Sequence, residues 1–227
     1  MCIRDRVELD FIAKASRITL DELIARLRDA GLDSCPGGGA EIFAEHVRNQ
    51  ICDHKTDAAR WLDTARSVHA AGIKSNCTML YGHVETAEER VDHLMALREL
   101  QDETGGFQCL IPLAFHPKNT ALDHLPPTGG RLDLQTLAVS RLVLDNVPNL
   151  KAYWIMLGEK IAQIALHFGA NDLDGTILDE RITQAAGGTA GTSMTRRKLE
   201  RLIIEAGRKP VLRDTLYRPI EDTPVVA

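Results

Sequence analysis

Asp33-Ser34-Cys35-Pro36-Gly37-Gly38-Gly39-Ala40-Glu41-Ile42 runs from a short apolar approach through three glycines to an acidic residue placed to open a helix. Three successive glycines carry no Cβ, so their backbone N–H groups can be brought against a ligand that ordinary residues would hold off. An isolated run of this kind is also what a flexible turn looks like. Repetition separates the two. A strand followed by a polar loop recurs at Met79-Leu80-Tyr81-Gly82-His83 and at Phe115-His116-Pro117-Lys118-Asn119. Three such loops on one rim make a pocket.

The elements around these loops alternate. Thr19 with Glu22, and Thr86 with Glu89, are capping-box pairs that start helices. Leu20, Leu23, Ile24 and Leu27 recur at helical spacing, as do Trp61, Ala65 and Val68 in a helix over 57–71, and Val91, Leu94, Met95 and Leu97 in the helix after Thr86. Further helices are expected over 132–144 and 159–168. Strands are expected at Val7–Leu9, before Pro36, at Ile73–Leu80, Phe107–Leu113 and Lys151–Trp154. The pairs Ala30-Gly31, Ala71-Gly72 and Ala206-Gly207 share one helix-ending device, and the first two lead into strands. This rhythm predicts an α/β fold of parallel βα units, whose ligand loops sit at the carboxyl ends of the strands in a barrel and an open sheet alike. An eight-stranded barrel would need about three more strands than these. Met1 to Arg6 fits no element and reads as a foreign start, and beyond Gly187-Gly188 a Gly/Thr-rich linker leads to a helix over 195–206 and an extended tail through Leu216-Tyr217.

Composition limits what the pocket can serve. With 227 residues, 44% hydrophobic and 26% charged, the chain is an ordinary globular one. A net charge of -5 provides no basic footprint for nucleic acid, which leaves a small molecule as the expected ligand. No stretch approaches the roughly 18 apolar residues of a membrane span, the start lacks the apolar core of a signal peptide, and a cytoplasmic protein is expected. Cys2, Cys35, Cys52, Cys77 and Cys109 show no CxxC or CxxxCxxC spacing and propose no metal site.

The candidate residues have physical roles of their own. Gly37, Gly38 and Gly39 can hold a ligand by backbone contact and Glu41 can accept from its hydroxyl or amino groups; the competing role of Glu41 is an acid at a helix N-terminus. On the next strand Asn76 and Thr78 face one way with Leu80, and Cys77, Met79 and Tyr81 the other, so only one set can line the interior. Tyr81 and His83 at the rim can bind a carboxylate or a phenyl group, while His83 bonded to a neighbouring carbonyl is the structural alternative. His116 and Asn119 can orient a carboxylate, against a plain turn around Pro117. Tyr153 and Trp154 can stack on an aromatic ligand or fill the core. His69, His93 and His167 are read as structural and Met95 as core.

Five stretches in order carry a family likeness: Asp33 to Glu41, Met79 to Thr86, Leu100-Gln101-Asp102-Glu103-Thr104-Gly105-Gly106-Phe107, Pro112-Leu113-Ala114-Phe115-His116-Pro117, and Leu166-His167-Phe168-Gly169-Ala170-Asn171-Asp172. Together they resemble the menaquinone-pathway radical S-adenosylmethionine enzymes, from about Val7 to Tyr217. Within that group, Pro112 to Pro117 and Lys151 to Gly158 are more similar to the aminofutalosine synthases than to the cyclic dehypoxanthinyl futalosine synthases. The resemblance implies a partial (β/α) TIM-type barrel over 7–186, with the linker, helix and tail of 187–227 as an appendage. It implies a [4Fe-4S] cluster on a CxxxCxxC loop and a reducing partner such as flavodoxin or ferredoxin. S-adenosyl-L-methionine would yield a 5′-deoxyadenosyl radical that adds to 3-[(1-carboxyvinyl)oxy]benzoate, giving aminodeoxyfutalosine with loss of a carboxyl group. Gly37, Gly38, Gly39, Glu41 and Asn76 would then meet the adenosyl donor, Met79, Asn119 and Tyr153 the aromatic substrate, and His116, Tyr81 and His83 the reacting groups. The chain departs from the pattern by holding no cysteine trio, so as given it is expected to be inactive, a truncated or purely binding form. A metal-dependent barrel hydrolase is disfavoured, there being no HxH pair or HExxH helix.

Overall fold

The computed structural model describes residues 2–3, 6–52, 55–176 and 194–221. Five parallel strands, β1 (Cys2–Ile3), β2 (Leu32–Cys35), β3 (Lys74–Tyr81), β4 (Phe107–Ala114) and β5 (Asn149–Leu150), form one sheet in the order β1-β2-β3-β4-β5. The order follows the chain without the reversal that marks a doubly wound open sheet. A further parallel bridge, Lys151 to Asp172, with the Ala152 N–H donating to Asp172 O at 2.8 Å, starts another position beyond β5.

The helices are α1 (Arg6–Ser16), α2 (Leu20–Asp29), α3 (Glu45–Ile51), α4 (Ala58–Ala70), α5 (Ala87–Thr104), α6 (Gly130–Val143), α7 (Trp154–Leu157), α8 (Glu159–Ala165) and α9 (Arg196–Glu205). Contacts run α1 to α4, α4 to α5, α5 to α6 and α6 to α8, while α4 and α5 also lie on β3 and α6 on β4 and β5. A single helical layer therefore backs the strands. The long helices α4, α5 and α6 each turn an i, i+3, i+4 stripe inward, as with Trp61, Thr64, Ala65 and Val68 of α4. The α9 stripe, Leu199 and Leu202, joins the same core as Met194 and Ala206.

Sequence signals with a specific donor or cap hold up. Thr19 and Thr86 cap α2 and α5, the latter as a reciprocal box with Glu89. Short apolar runs fare worse, since a run of that length suits a buried strand or a helical turn equally. Val7–Leu9 is helix, in α1, where Leu9 and Ala13 pack one turn apart and the strand beside it is Cys2–Ile3. Lys151–Trp154 is not a strand either: pairing stops at Leu150 apart from the Lys151 bridge, and Trp154 opens α7. In α5 the inner stripe is His93, Leu94, Leu97, Leu100 and Gln101, which turns Val91 and Met95 outward and corrects the core placement of Met95. Glu41 does not open a helix; α3 begins at Glu45 behind the Ala44 cap. Gly187-Gly188 lies outside the described residues.

Candidate functional site at the carboxyl ends of the strands

The glycine loop leaves β2 and lies flat on β3. A Cβ on Gly37 would stand 2.7 Å from the Cys77 carbonyl carbon and 2.8 Å from its Cα, so this glycine is needed for packing whatever the loop binds. Thr78 Oγ1 donates to Gly37 O at 2.7 Å. Trp61 Nε1 donates to Gly38 O at 3.1 Å, and the buried Arg48 guanidinium donates to Gly39 O at 3.4 Å, Ala40 O at 2.6 Å, Ile42 O at 3.2 Å and Thr56 O. All peptide bonds described are trans, which sets each N–H opposite its C=O. The N–H groups of Gly39, Ala40 and Glu41 therefore point away from Trp61 and Arg48. Glu41 sits at φ +46 with its carboxylate 2.7 Å from Lys55 Nζ, and its carbonyl accepts from Leu80 N at 2.8 Å.

β3 settles which of its faces is which. Cys77, Met79 and Tyr81 are fully buried with the helix side chains, whereas Asn76, Thr78 and Leu80 lie on the face that carries no helices. Met79 and Tyr81 therefore stand behind the rim, and of the two sets that alternate along β3 it is Asn76, Thr78 and Leu80 that line the helix-free face. The Tyr81 hydroxyl donates to Asp133 Oδ1 at 2.8 Å. Burial raises the Asp133 carboxyl above the ordinary carboxylate range against the hydrogen bonds of Tyr81 and Thr128 and the nearby charge of His116, and burial with the Asp133 charge raises the Tyr81 phenol.

The loop after β3 is built round Glu85. Its carboxylate accepts from Gly82 N at 2.7 Å and His83 N at 2.9 Å and pairs with Arg90 at 2.7 Å. The His83 ring is enclosed, with Nε2 3.1 Å from Leu80 O, Nδ1 3.1 Å from Glu85 Oε2, and Phe115 edge-on at 5.8 Å. Phe115 N donates to Tyr81 O at 2.9 Å, tying the β4 exit to the β3 exit. His116, half-buried, has Nε2 3.2 Å from Met156 O. Asn119 takes the left-handed conformation, φ +63, in a turn closed by Thr120 N donating to Pro117 O at 3.1 Å. Tyr153, half-buried, precedes α7, while Trp154 is core and donates from Nε1 to Gly175 O at 3.3 Å.

The rim thus brings together the glycine loop, Glu41, Thr78, Leu80, Phe115 and His116. Arg48, Lys55, Glu85 and Asp133 shape it as much as the residues singled out in the sequence, yet a lone charge in a helix or loop leaves no pattern to read. The chemistry on offer is backbone N–H donors, one carboxylate and an imidazole around an apolar strand face, which suits a ligand with polar ends and a flat apolar body. Among the described residues no three histidines, cysteines or acids come together as a metal site, and Cys35, Cys52, Cys77 and Cys109 are buried.

Comparison with known proteins gives the chain its family. Residues 104–225 match the family model described as the CofH/MqnC C-terminal region. A Thermus thermophilus protein named aminodeoxyfutalosine synthase is 49% identical over 217 residues, taking in 94% of this chain and 58% of that protein. Two archaeal proteins named 5-amino-6-(D-ribitylamino)uracil--L-tyrosine 4-hydroxyphenyl transferase are similar as well. One, from Methanosarcina barkeri, is 44% identical over 97% of this chain and 59% of its own length; the other, from Methanococcus maripaludis, is 40% identical over 95% and 61%. The chain spans about three fifths of the relatives it matches, and by the match over residues 104–225 it belongs to the CofH/MqnC C-terminal family.

Proposed function

We propose that this chain is the carboxyl-terminal part of a radical S-adenosylmethionine transferase that joins the 5′-deoxyadenosyl group to 3-[(1-carboxyvinyl)oxy]benzoate, giving aminodeoxyfutalosine and releasing methionine with loss of the carboxyl group. The observation that carries this reading is the 49% identity to an aminodeoxyfutalosine synthase along nearly the whole chain. The consecutive parallel order of the strands, backed by one helical layer, supports a curved β/α barrel wall whose interior is the helix-free face.

In this reading the glycine loop Gly37 to Gly39, through the N–H edge of Gly39 to Glu41, and the Glu41 carboxylate hold the polar parts of the adenosyl donor, with Asn76 on the wall beneath. His116 and Asn119 orient the substrate carboxylates, and Tyr153 meets the aromatic ring. Tyr81, His83 and Met79 act from behind, fixing the β3 exit through Asp133, Glu85 and core packing. The described residues do not fit a [4Fe-4S] cluster, since they bring no set of thiolates together. The cluster and its reductant, of the flavodoxin or ferredoxin kind, belong in this reading to the part of the relatives that this chain does not span.

The 44% identity to 4-hydroxyphenyl transferases favours one second reading, transfer of a tyrosine-derived hydroxyphenyl group to 5-amino-6-(D-ribitylamino)uracil. Full-length protein, assembled with iron and sulfide without oxygen, separates the two when both substrate sets are supplied together with S-adenosylmethionine. Aminodeoxyfutalosine is the expected product by mass spectrometry; a hydroxyphenyl adduct of the uracil in its place overturns the proposal.

A further inference from the structure

The helix-free face of the sheet is open at one end and closed at the other. Towards the carboxyl ends, Leu80, Ile111 and Leu113 are only half-buried. Nearer the amino end Cys109, on the same face by its register with Asn76, is completely buried. What covers it is the chain after α9.

That segment is shaped before it docks. Ile220 N donates to Leu212 O at 2.9 Å and Asp214 N to Arg218 O at 2.9 Å, making a tight hairpin, and Asp214 Oδ1 accepts from Leu216 N at 2.8 Å and Arg218 N at 2.9 Å. At its tip Tyr217 holds φ +61, a conformation that a bulky residue adopts only when its contacts hold it there. Those contacts are present. The Arg213 guanidinium lies 4.0 Å over the Tyr217 ring and forks onto Asp172, Nε to Oδ2 at 2.5 Å and Nη2 to Oδ1 at 3.0 Å. Lys151 at the end of β5 reaches Asp174 at 2.6 Å and lies 6.0 Å from the same ring. Gln108 of β4 donates to Thr215 O at 3.3 Å. The Tyr217 hydroxyl is itself buried, beside the Cys109 thiol.

We propose that residues 208–221 are a strap that closes the amino end of the helix-free face, keyed by Tyr217 and latched by Arg213 on Asp172. The latch is selective because it matches two cations, Arg213 and Lys151, with two carboxylates, Asp172 and Asp174, at partly buried positions where an unmatched charge is costly. If that face is the interior of a catalytic barrel, as the proposed function has it, the strap is its floor and ligands enter from the rim alone. The strap can be tested without turnover, so its failure and the failure of that function are distinguishable.

Cys109 is the reporter and Cys77, buried on the helix side, the reference. Burial pushes the Cys109 thiol up to about 12, so uncovering it raises both its access and its thiolate fraction. Native full-length protein is alkylated with iodoacetamide at pH 8 and each thiol followed by peptide mass spectrometry, in the unaltered protein, in Tyr217→Ala and in the milder Arg213→Gln. The strap predicts that Cys109 is protected in the unaltered protein and labels at least about 100-fold faster in either variant, with Cys77 still protected. Equal protection of Cys109 in both variants overturns the proposal. So does the opening of Cys77 and Cys109 together in both, which would make the segment part of the global fold rather than a strap.

Discussion

Gly37 has no room for a side chain, because the Cys77 backbone occupies the place of its Cβ. Gly37→Ala should therefore lower stability by about 1–3 kcal/mol, the usual cost of overpacking, seen as a lower urea midpoint with unchanged slope. An unchanged midpoint would mean that the loop does not lie on β3. Glu41 was singled out in the sequence beyond the glycine loop and His116 just past a strand end, and each should matter to turnover in the full-length protein. Glu41→Gln and His116→Ala are expected to cut kcat/KM by at least about 10-fold, the range for losing a hydrogen bond to a charged group; steady-state rates like those of the parent would remove them from the site. Arg48 and Asp133 were not legible. Their importance comes from carbonyls and a phenol that the fold brings to them, Ala40 O at 2.6 Å and the Tyr81 hydroxyl at 2.8 Å.

Among the elements, α5 was read correctly in its start and its stop but only in part in its face, Leu94 and Leu97 being inner and Val91 and Met95 outer. The Thr86 and Glu89 box is a local device visible in four residues, whereas the choice between Met95 and His93 for the inner stripe depends on what β3 offers opposite. His93 finds the Thr78 carbonyl, 2.9 Å from Nε2, and the Phe43 ring stacked at 4.0 Å. Burial pushes its pKa down from 6.5 to about 3 against the bond to Thr78, so the unfolded chain takes up this proton first as the pH falls. The folded state is thus fully favoured by this group above pH 6.5 and loses that advantage progressively from there down to about 3. The loss is at most about 1.4 kcal/mol per pH unit. His93→Gln keeps a donor for Thr78 and removes the titration. Its urea midpoint should fall less steeply than that of the parent between those limits, and parallel curves would contradict a neutral buried His93. The strand boundaries at Leu9 and Trp154 were misread for a different reason: three or four apolar residues satisfy a buried strand and a helical turn alike.

For the whole molecule, the alternation of helices and strands predicted a parallel α/β fold, and the parallel five-stranded sheet bears that out. The fold's long-range features lay beyond reach. The pairing of Arg213 with Asp172 spans 41 residues, and neither partner carries a local signal of the other. The same holds for the single bridge that begins a position beyond β5. Relatives along this span carry two different names, a synthase and a 4-hydroxyphenyl transferase, so identity alone does not decide between the two readings, and the proposed fate of the adenosyl group does. The most direct measurement supplies the full-length enzyme with S-adenosylmethionine labelled in its adenine ring and with 3-[(1-carboxyvinyl)oxy]benzoate, and follows the label by chromatography and mass. Recovery of the label in an adduct that also contains the aromatic ring, one methionine released per adduct, is the predicted result. Recovery of the label as free 5′-deoxyadenosine, with the aromatic compound not joined to it, would contradict an enzyme that consumes the adenosyl group as its substrate.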